Sequence, residues 1–564
     1  MADLLIRGGQ VVDGTGRPAY ESDVRIFKGV ITEVAPGLRA EGETVVDASG
    51  AFVSPGFIEQ HTHYDGSLWW DPFCDPMPGF GTTTCVIGNC GHSLAPMRDR
   101  DRAGLIDFYC YIEDLPNEAF ARAIPWSWET WPEYAQAARA HPIAINAAPL
   151  VGHTPIRVFV MGEAAWEREA TGDEIARMEQ VLRESLAAGA FGLASSTMDI
   201  DRNGRPVPCR VAAKEERLRL FGLLADQERI VMQALRLLEP RYFAGDLEQL
   251  AQDCRDTGVR ALWAALMSTP GEEAVRRQIL ELHRKYSAEG LDIWGQTTGR
   301  PQMGAISFER SILFQGMDAW HVMVNSDEEM KQRLLRDPAW RARARRDWDT
   351  ADFVMFPKDH LDKLVVGHCK PENTVWRGMT VDKFVAERPG GHASDVIADW
   401  LVENGTEGTG FNAVLGGNRN VEGICELLAD PKILSGASDA GAHIQLMCAA
   451  GETTYVLTEH VRDSGRITIE DAVHYFTQKQ ANFFGIRDRG VIAPGHAADL
   501  AVFDLSELVH GPDQIVRDIP HGTWRYTKPP AGYRATIVNG TPTSIDGILT
   551  GARPGHFLDP TARA

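Results

Sequence analysis

The chain has 564 residues, of which 44% are hydrophobic and 24% charged, with a formal net charge of −21 and a pI near 5.3. Such an acidic chain lacks the basic surface needed to bind nucleic acid or an anionic membrane. Its nine cysteines are scattered, with no Cys-x-x-Cys pair, so they do not form a disulfide framework. The amino terminus lacks signal-peptide features, and no apolar run approaches the ~18 residues of a membrane span. We therefore expect a reduced, cytoplasmic protein of two to four domains.

Both ends of the chain alternate short apolar runs with glycine-containing turns. These runs lie within residues 4–53 near the amino terminus, and at 498–504 and 535–540 near the carboxyl terminus. The alternation predicts short antiparallel strands. We predict that segments 1–54 and 485–564 together form one small β-sandwich domain that brackets the middle of the chain.

Between these ends, short apolar segments alternate with amphipathic helical patterns, which are clearest at 171–188 and 271–288. About eight such units predict an α/β fold, a TIM-like (β/α)8 barrel, which we assign to residues 55–484. Functional residues of such a barrel lie at the carboxyl ends of its strands. The candidate strands lie at 84–88, 143–147, 191–194, 229–233, 259–264, 291–296, 320–324 and 433–439.

The histidines His61 and His63 follow a short apolar segment that begins after Pro55-Gly56. Because side chains alternate along a strand, residues two apart point the same way. Two imidazoles are thereby aimed at one point, as a metal ion requires. A lone His-x-His is as often a pair of ordinary core or turn histidines, so its interpretation depends on companion residues.

Cys90 and Asp439 are the companion residues that extend this candidate metal site. Cys90 lies between glycines directly after a candidate strand, and a thiolate is a good zinc ligand. Asp439 ends a late candidate strand, where a carboxylate can hold a metal and accept a proton from activated water. Taken singly, the cysteine is a small core residue and the Asp-Ala-Gly segment a turn.

These motifs, in this order, resemble the amidohydrolase superfamily, and within it the D-aminoacylase (N-acyl-D-amino-acid deacylase) branch. The resemblance implies a TIM-like barrel with a flanking β-sandwich and a hydrolase of linear amide C–N bonds that uses one or two Zn²⁺ ions. It implies His61, His63, Cys90 and Asp439 as metal ligands, with Asp439 also the general base and then the general acid. The segments that carry it are 6–9, 12–16, 56–65, 81–84, 88–91, 488–492, 495–500 and 538–540.

The chain departs from this branch at two positions where the deacylases carry further zinc histidines. The corresponding segments are 232–236 and 261–268, and neither contains a histidine. The number of metal ions, the residues that replace these ligands and the exact substrate are therefore left open.

Further polar residues near predicted strand ends are candidates for binding the substrate. An arginine among them would pair with a substrate carboxylate, since the guanidinium fork fits that group. For the histidines, the alternative is a hydrogen-bonded loop residue. The candidates are His153, Arg157, Gln233, Arg236, Gln296, Arg300 and His443.

The leading hypothesis is metal-dependent hydrolysis of an amide, above all an N-acyl (D-)amino acid, by metal-activated water with Asp439 as base and acid. The expected partner is a small molecule, and the sequence leaves open whether the chain forms a homo-oligomer. One alternative is hydrolysis of a cyclic amide, lactone or carbamate on the same scaffold. Another is a non-catalytic binding protein with a degenerate metal site, although the presence of all four ligand candidates favours an enzyme.

Overall fold

The structure is a computed structural model that describes residues 3–236, 240–301, 303–309, 311–352, 354–407, 409–414 and 418–561. At its centre, the described residues form a closed barrel of eight parallel strands. The barrel is closed by a parallel β-bridge between Thr62, just beyond the first strand, and Ala440, just beyond the eighth. The strands are Phe57–Glu59, Thr82–Ile87, Asn146–Pro149 with its continuation Val151–Gly152, Gly192–Ser196, Ile230–Ala234, Arg260–Ala264, Ile293–Gln296 and Ile433–Leu434.

Helices cover the outside of this barrel, so its strands are nearly continuous in buried residues. The helix Gly172–Ala187 shows how residues at the amino terminus stabilise such a helix. Its preceding Thr171 accepts a hydrogen bond from Glu174 N, and the Glu174 carboxylate accepts one from Thr171 N. The other helices of this layer are Arg102–Ile112, Asn117–Ala123, Trp131–Ala140, His153–Met161, Lys214–Asp226, Pro240–Thr257, Glu273–Ala288, Val421–Ala429, Glu452–Tyr455 continuing as the π-helix Val456–Asp463, Ile469–Phe476 and Gln478–Phe484.

Strands from both ends of the chain meet in a second, mainly antiparallel sheet. Leu500 pairs with Pro55 and Val502 with Val53, so the carboxyl-terminal segment completes a sheet that the amino-terminal segment begins. The predicted fold class, a barrel with a small β domain formed from both ends, is confirmed; the boundaries at 54/55 and 484/485 stay predictions. The strands are Leu4–Val11, Tyr20–Phe27, Val30–Ala35, Thr44–Asp47, Phe52–Pro55, Leu500–Phe503, Tyr533–Val538, Thr541–Ile545 and Ile548–Leu549, with the small hairpin pairs Val509–His510/Pro530–Ala531 and Gln514–Val516/Arg525–Thr527 beside them.

Between the seventh and eighth barrel strands lies an insertion, residues 297–420, that the sequence did not predict. It has its own hydrophobic core, which includes Phe308, Trp320, Trp340 and Phe411. Its three-stranded antiparallel sheet and its helices lie on one end of the barrel, after the seventh strand. Its strands are Met303–Ser307, Leu364–Val366 and Gly410–Val414, and its helices are Asp318–Val324, Glu328–Arg336, Pro338–Thr350, Val381–Glu387 and Ala393–Asn404.

The predicted strand at 320–324 is wrong, because this segment belongs to the helix Asp318–Val324. Trp320, Met323 and Val324 are buried, whereas Val322 is 57% exposed, which is the spacing of one helical face. A short apolar run does not distinguish a strand from a buried helix.

No disulfide links any of the nine cysteines, all of which lie within the described ranges. Across those ranges, no helix combines the length and apolar character needed to cross a bilayer.

Candidate metal centre and active site

The four predicted metal ligands converge at the carboxyl end of the barrel. His61 and His63 follow the first strand, Cys90 the second and Asp439 the eighth. Asp439 Oδ1 lies 3.1 Å from His63 Nε2 and 3.7 Å from His61 Nε2. Cys90 Sγ lies 3.3 Å from His61 Nε2. Side chains that the sequence separates by nearly four hundred residues thus face a common point.

Backbone contacts between the first and eighth strand ends hold this arrangement. Asp439 N donates to His61 O at 3.0 Å, and His63 N donates to Ala440 O at 2.8 Å. Gly441 has a φ of +92°, and a Cβ there would lie 2.8 Å from the carbonyl carbon of His63. Only glycine permits this approach, which brings Asp439 to the histidine pair.

Each histidine has an oxygen atom beside the ring nitrogen that faces away from this point. His61 Nδ1 lies 2.9 Å from Gln296 Oε1, and His63 Nδ1 lies 3.4 Å from Glu113 Oε1. Metal-binding imidazoles commonly use the second nitrogen in this way, which fixes the ring and leaves Nε2 for the ion. Gln296, predicted to contact substrate, therefore lies behind His61 in an orienting position.

The donor set fits zinc, which takes imidazole nitrogen, thiolate and carboxylate ligands. His61, His63 and Cys90 offer ligand atoms within 4.8 Å of one another, and so do His63, Glu113 and Asp439. Within the part of the chain that the structure describes, neither ring nitrogen of His63 has a partner with hydrogen-bond geometry, although the side chain is buried. A cation at the common point would satisfy Nε2 of His63.

The charges around this cluster also favour a cation. Burial lowers the pKa of His61 to about 4, so this imidazole is neutral, as a ligand must be. Burial opposes protonation of His63 as well, but the carboxylates of Glu113 and Asp439 outweigh it and raise its pKa to about 9. Burial alone would raise the pKa of Asp439, yet contact with His63 and nearby imidazoles keeps it below its usual value. Burial and the surrounding carboxylates raise the pKa of the Cys90 thiol, which disfavours the thiolate. A dication beside the sulfur would offset this penalty.

A cavity of about 420 Å³ opens directly from this cluster. His61, Cys90 and Asp439 lie on its wall, and so do two of the predicted substrate-binding residues, Arg236 and His443. The remaining wall residues are Ile112, Glu113, Met198, Asp199, Ile200, Ala234, Ala264, Ala265, Met267, Ile312, Gln315, Gly316, Met355 and Ala437.

His443 is held beside the cluster by two carboxylates. Its Nδ1 lies 2.7 Å from Asp114 Oδ2, and its Nε2 lies 3.5 Å from Asp439 Oδ2. Burial lowers the pKa of His443, but Asp114 reverses this effect and raises it to about 10. A protonated imidazole therefore lies between the cavity and the oxygen of Asp439 that faces away from His63.

Glu113 and Asp114 are site residues that the sequence analysis missed. They follow the helix Arg102–Ile112, whose last residues are strongly apolar, and both are buried. Two consecutive acidic residues directly after a strongly apolar segment were the available signal, since such groups are rarely buried without a partner.

Four other candidates do not line the cavity. Gln233 is buried in the fifth barrel strand, and Arg300 donates to the carbonyls of Ser438 and Ala449 at 3.4 and 3.3 Å. His153 and Arg157 instead form a fully buried cluster with Glu216, in which His153 Nε2 lies 2.7 Å from Glu216 Oε1 and Arg157 contacts the other carboxylate oxygen. The chain turns into the helix His153–Met161 directly after the third strand, and that helix aims both side chains at its neighbour.

We expect Glu216→Ala to destabilise the protein by about 3–5 kcal/mol, because it leaves the charge of Arg157 buried without its partner. Denaturant unfolding of the purified protein measures the effect. The matched control is Glu215→Ala, an exposed neighbour on the same helix that we expect to be near neutral. Equal stability of the two variants would contradict a structural role for the cluster.

Comparisons with known proteins agree with this fold. The model of the Amidohydrolase family matches residues 44–202 and 410–543, more than half of the chain. The chain is 27% identical to D-aminoacylase of Alcaligenes xylosoxydans xylosoxydans over 571 residues, which cover 99% of this chain and 98% of the relative. It is 28% identical to N-acyl-D-aspartate deacylase of the same organism over 568 residues, with coverages of 99% and 95%.

Among solved structures, the fold is similar to N-acyl-D-glutamate deacylase from Bordetella bronchiseptica, complexed with zinc and a phosphonate inhibitor. The TM-score is 0.68 at 22% identity, and the match covers 99% of each chain. The insertion at 297–420 falls almost wholly between the two segments of the family match. The resemblance inferred from the sequence is confirmed: this chain belongs to the amidohydrolase family.

Proposed function

We propose that the chain is a zinc-dependent hydrolase that cleaves the linear C–N amide bond of an N-acyl amino acid, in the D configuration named for its relatives. The observation that carries the proposal is the convergence of His61, His63, Cys90 and Asp439 at one point. Three of these residues, His61, Cys90 and Asp439, lie on the wall of a substrate-sized cavity. Cavities of roughly 300–1,000 Å³ are typical of small-molecule sites.

These four residues would hold the ion, which when bound supplies the Lewis acidity that polarises an amide carbonyl and acidifies water. Asp439 is the proton carrier, because its side chain remains 23% exposed while His61 and His63 are nearly enclosed. One carboxylate oxygen accepts the proton of the attacking water and later delivers it to the leaving nitrogen. His443, held by Asp114, fixes the second oxygen of Asp439 and faces the bound substrate.

A single zinc ion suits this chain better than two. The fifth and sixth barrel strands, where the deacylases carry further histidines, contribute Ala234, Ala264 and Ala265 to the cavity wall. These side chains offer no ligand atom. Three protein ligands and an open position suffice for catalytic zinc, and three of the four side chains named above meet that need.

The test is an assay of the full chain before and after removal of metal with a chelator. We expect about one zinc per chain, loss of hydrolysis of N-acyl-D-amino acids on chelation and its return with added zinc. Parallel assays of N-acyl-L-amino acids, cyclic imides and lactones separate the proposal from the cyclic-substrate alternative. Full-rate hydrolysis without any transition metal would overturn it, and so would a preference for the cyclic substrates.

A further inference from the structure

Two separate cavities lie beside the metal-ligand cluster. The catalytic cavity is the one of about 420 Å³ that contains Asp439, and the second cavity has a volume of about 290 Å³. Among the described residues, none lines both of them. His61 and Asp439 line the catalytic cavity, whereas His63 and Gly441, two residues further along the chain in each case, line the second. A ligand in the second cavity would therefore lie against the cluster without occupying the catalytic site.

The charge on the wall of the second cavity is mainly negative. Asp71, Asp75 and Asp518 lie on it, together with Arg525. The charge of Arg525 is already compensated, because its Nη2 lies 2.9 Å from Asp75 Oδ2 and 2.7 Å from Asp518 Oδ2. Within the described ranges, two carboxylates thus share one guanidinium, and a third has no ion-pair partner.

That third carboxylate belongs to Asp71. It accepts hydrogen bonds from the backbone N of Phe73 at 3.2 Å and of Asp75 at 2.9 Å, but from no basic side chain of the described chain. Burial raises the pKa of Asp71 to about 6, because Arg525 offsets only part of the cost of desolvation. A ligand cation beside Asp71 would offset the rest.

The second cavity also contains a buried hydroxyl group without a partner. Tyr64 lies on the wall and is only 5% exposed. In the part of the chain that the structure describes, the phenolic oxygen takes part in no hydrogen bond. Buried tyrosine hydroxyls are normally paired, so this oxygen is free to accept an N–H of a ligand.

The remaining wall provides aromatic and apolar surface. Trp70 and Phe120 meet edge to face, with ring centroids 5.4 Å apart. Aromatic faces attract cations, and an apolar group gains from burial against them. The aromatic wall residues besides Tyr64 are Trp70, Phe73, Phe120 and Tyr526.

We propose that the second cavity binds a small organic cation, an ammonium group carried on an apolar or aromatic body. The ammonium group is held by the Asp71 carboxylate and the Tyr64 hydroxyl, and the body packs against the aromatic rings. The three carboxylates repel an anion, and a neutral ligand leaves Asp71 uncompensated. The site lies outside the catalytic cavity, so this ligand is distinct from the substrate.

The experiment is calorimetric titration of the zinc-loaded full chain with protonated benzylamine, benzyl alcohol and benzoate, which share one ring and differ in charge. We expect benzylamine to bind with a Kd at least about 10-fold lower than that of benzyl alcohol, because only the cation pairs with Asp71. Benzoate should show no binding at the same concentrations. Benzylamine that binds no more tightly than benzyl alcohol would overturn the inference.

Three variants locate the site. Asp71→Asn should raise the Kd of benzylamine by about 10-fold, and Tyr64→Phe by about 3-fold or more. Asp199→Asn makes the same change as Asp71→Asn on the wall of the catalytic cavity and should leave the Kd unchanged.

Unchanged affinity in a folded Tyr64→Phe protein would contradict the site even if Asp71→Asn failed to fold. Loss of affinity in Asp199→Asn would place the amine in the catalytic cavity and overturn the inference. Calorimetry measures binding alone, so these outcomes are independent of the proposed hydrolysis.

Discussion

Asp439→Asn should lower kcat by at least about 100-fold, the usual contribution of a general base. The amide cannot accept the proton of attacking water, but the site keeps His61, His63 and Cys90. We therefore expect zinc to remain bound, so that binding and turnover separate. Steady-state kinetics together with metal analysis of the same preparation measure both quantities.

The matched control for that variant is Asp99→Asn, which makes the same chemical change at a side chain that is 79% exposed. Its kcat should equal that of the unmodified protein. An Asp439→Asn protein with normal turnover would exclude this carboxylate as the proton carrier. A protein that lost both turnover and zinc would show that Asp439 acts chiefly as a ligand.

The double variant His61→Ala/His63→Ala should lose nearly all bound zinc. Only Cys90 and Asp439 of the proposed ligands remain, and two are fewer than the three that a catalytic zinc site requires. Activity should fall to background for the same reason. Metal analysis after dialysis measures the loss, and circular dichroism checks that the barrel remains folded.

For comparison, His360→Ala/His521→Ala removes two exposed histidines and should leave the zinc content unchanged. This pair controls for weak surface binding of metal by imidazole. Stoichiometric zinc in the His61→Ala/His63→Ala protein would place the metal elsewhere in the molecule.

The convergence of the four candidate ligands could be predicted from the sequence because two simple rules apply there. Alternation along a strand directs His61 and His63 to the same side, and the carboxyl ends of barrel strands bring Cys90 and Asp439 to the same face. Both rules depend only on local order along the chain. The same is true of the β strands at the two ends, whose alternation is visible without knowing their partners.

The rules failed where contacts depend on how helices pack. His153 and Arg157 follow a strand, as predicted, but immediately enter a helix that turns them toward Glu216. Glu113 reaches His63 only because the helix before it ends beside the first strand. No local pattern encodes either distance. The insertion was missed because its apolar segments resemble further barrel units, as the segment at 320–324 shows.

The two ends of the insertion lie side by side, since Asn418 Nδ2 donates to Thr298 O. The insertion therefore leaves and re-enters the rest of the fold at one place. None of His61, His63, Cys90 or Asp439 resides within it. The proposed metal ligands and the part of the cavity wall that the insertion supplies therefore lie on separate stretches of polypeptide. Exchanging the insertion with that of a relative would change part of the cavity wall and leave the proposed metal ligands in place.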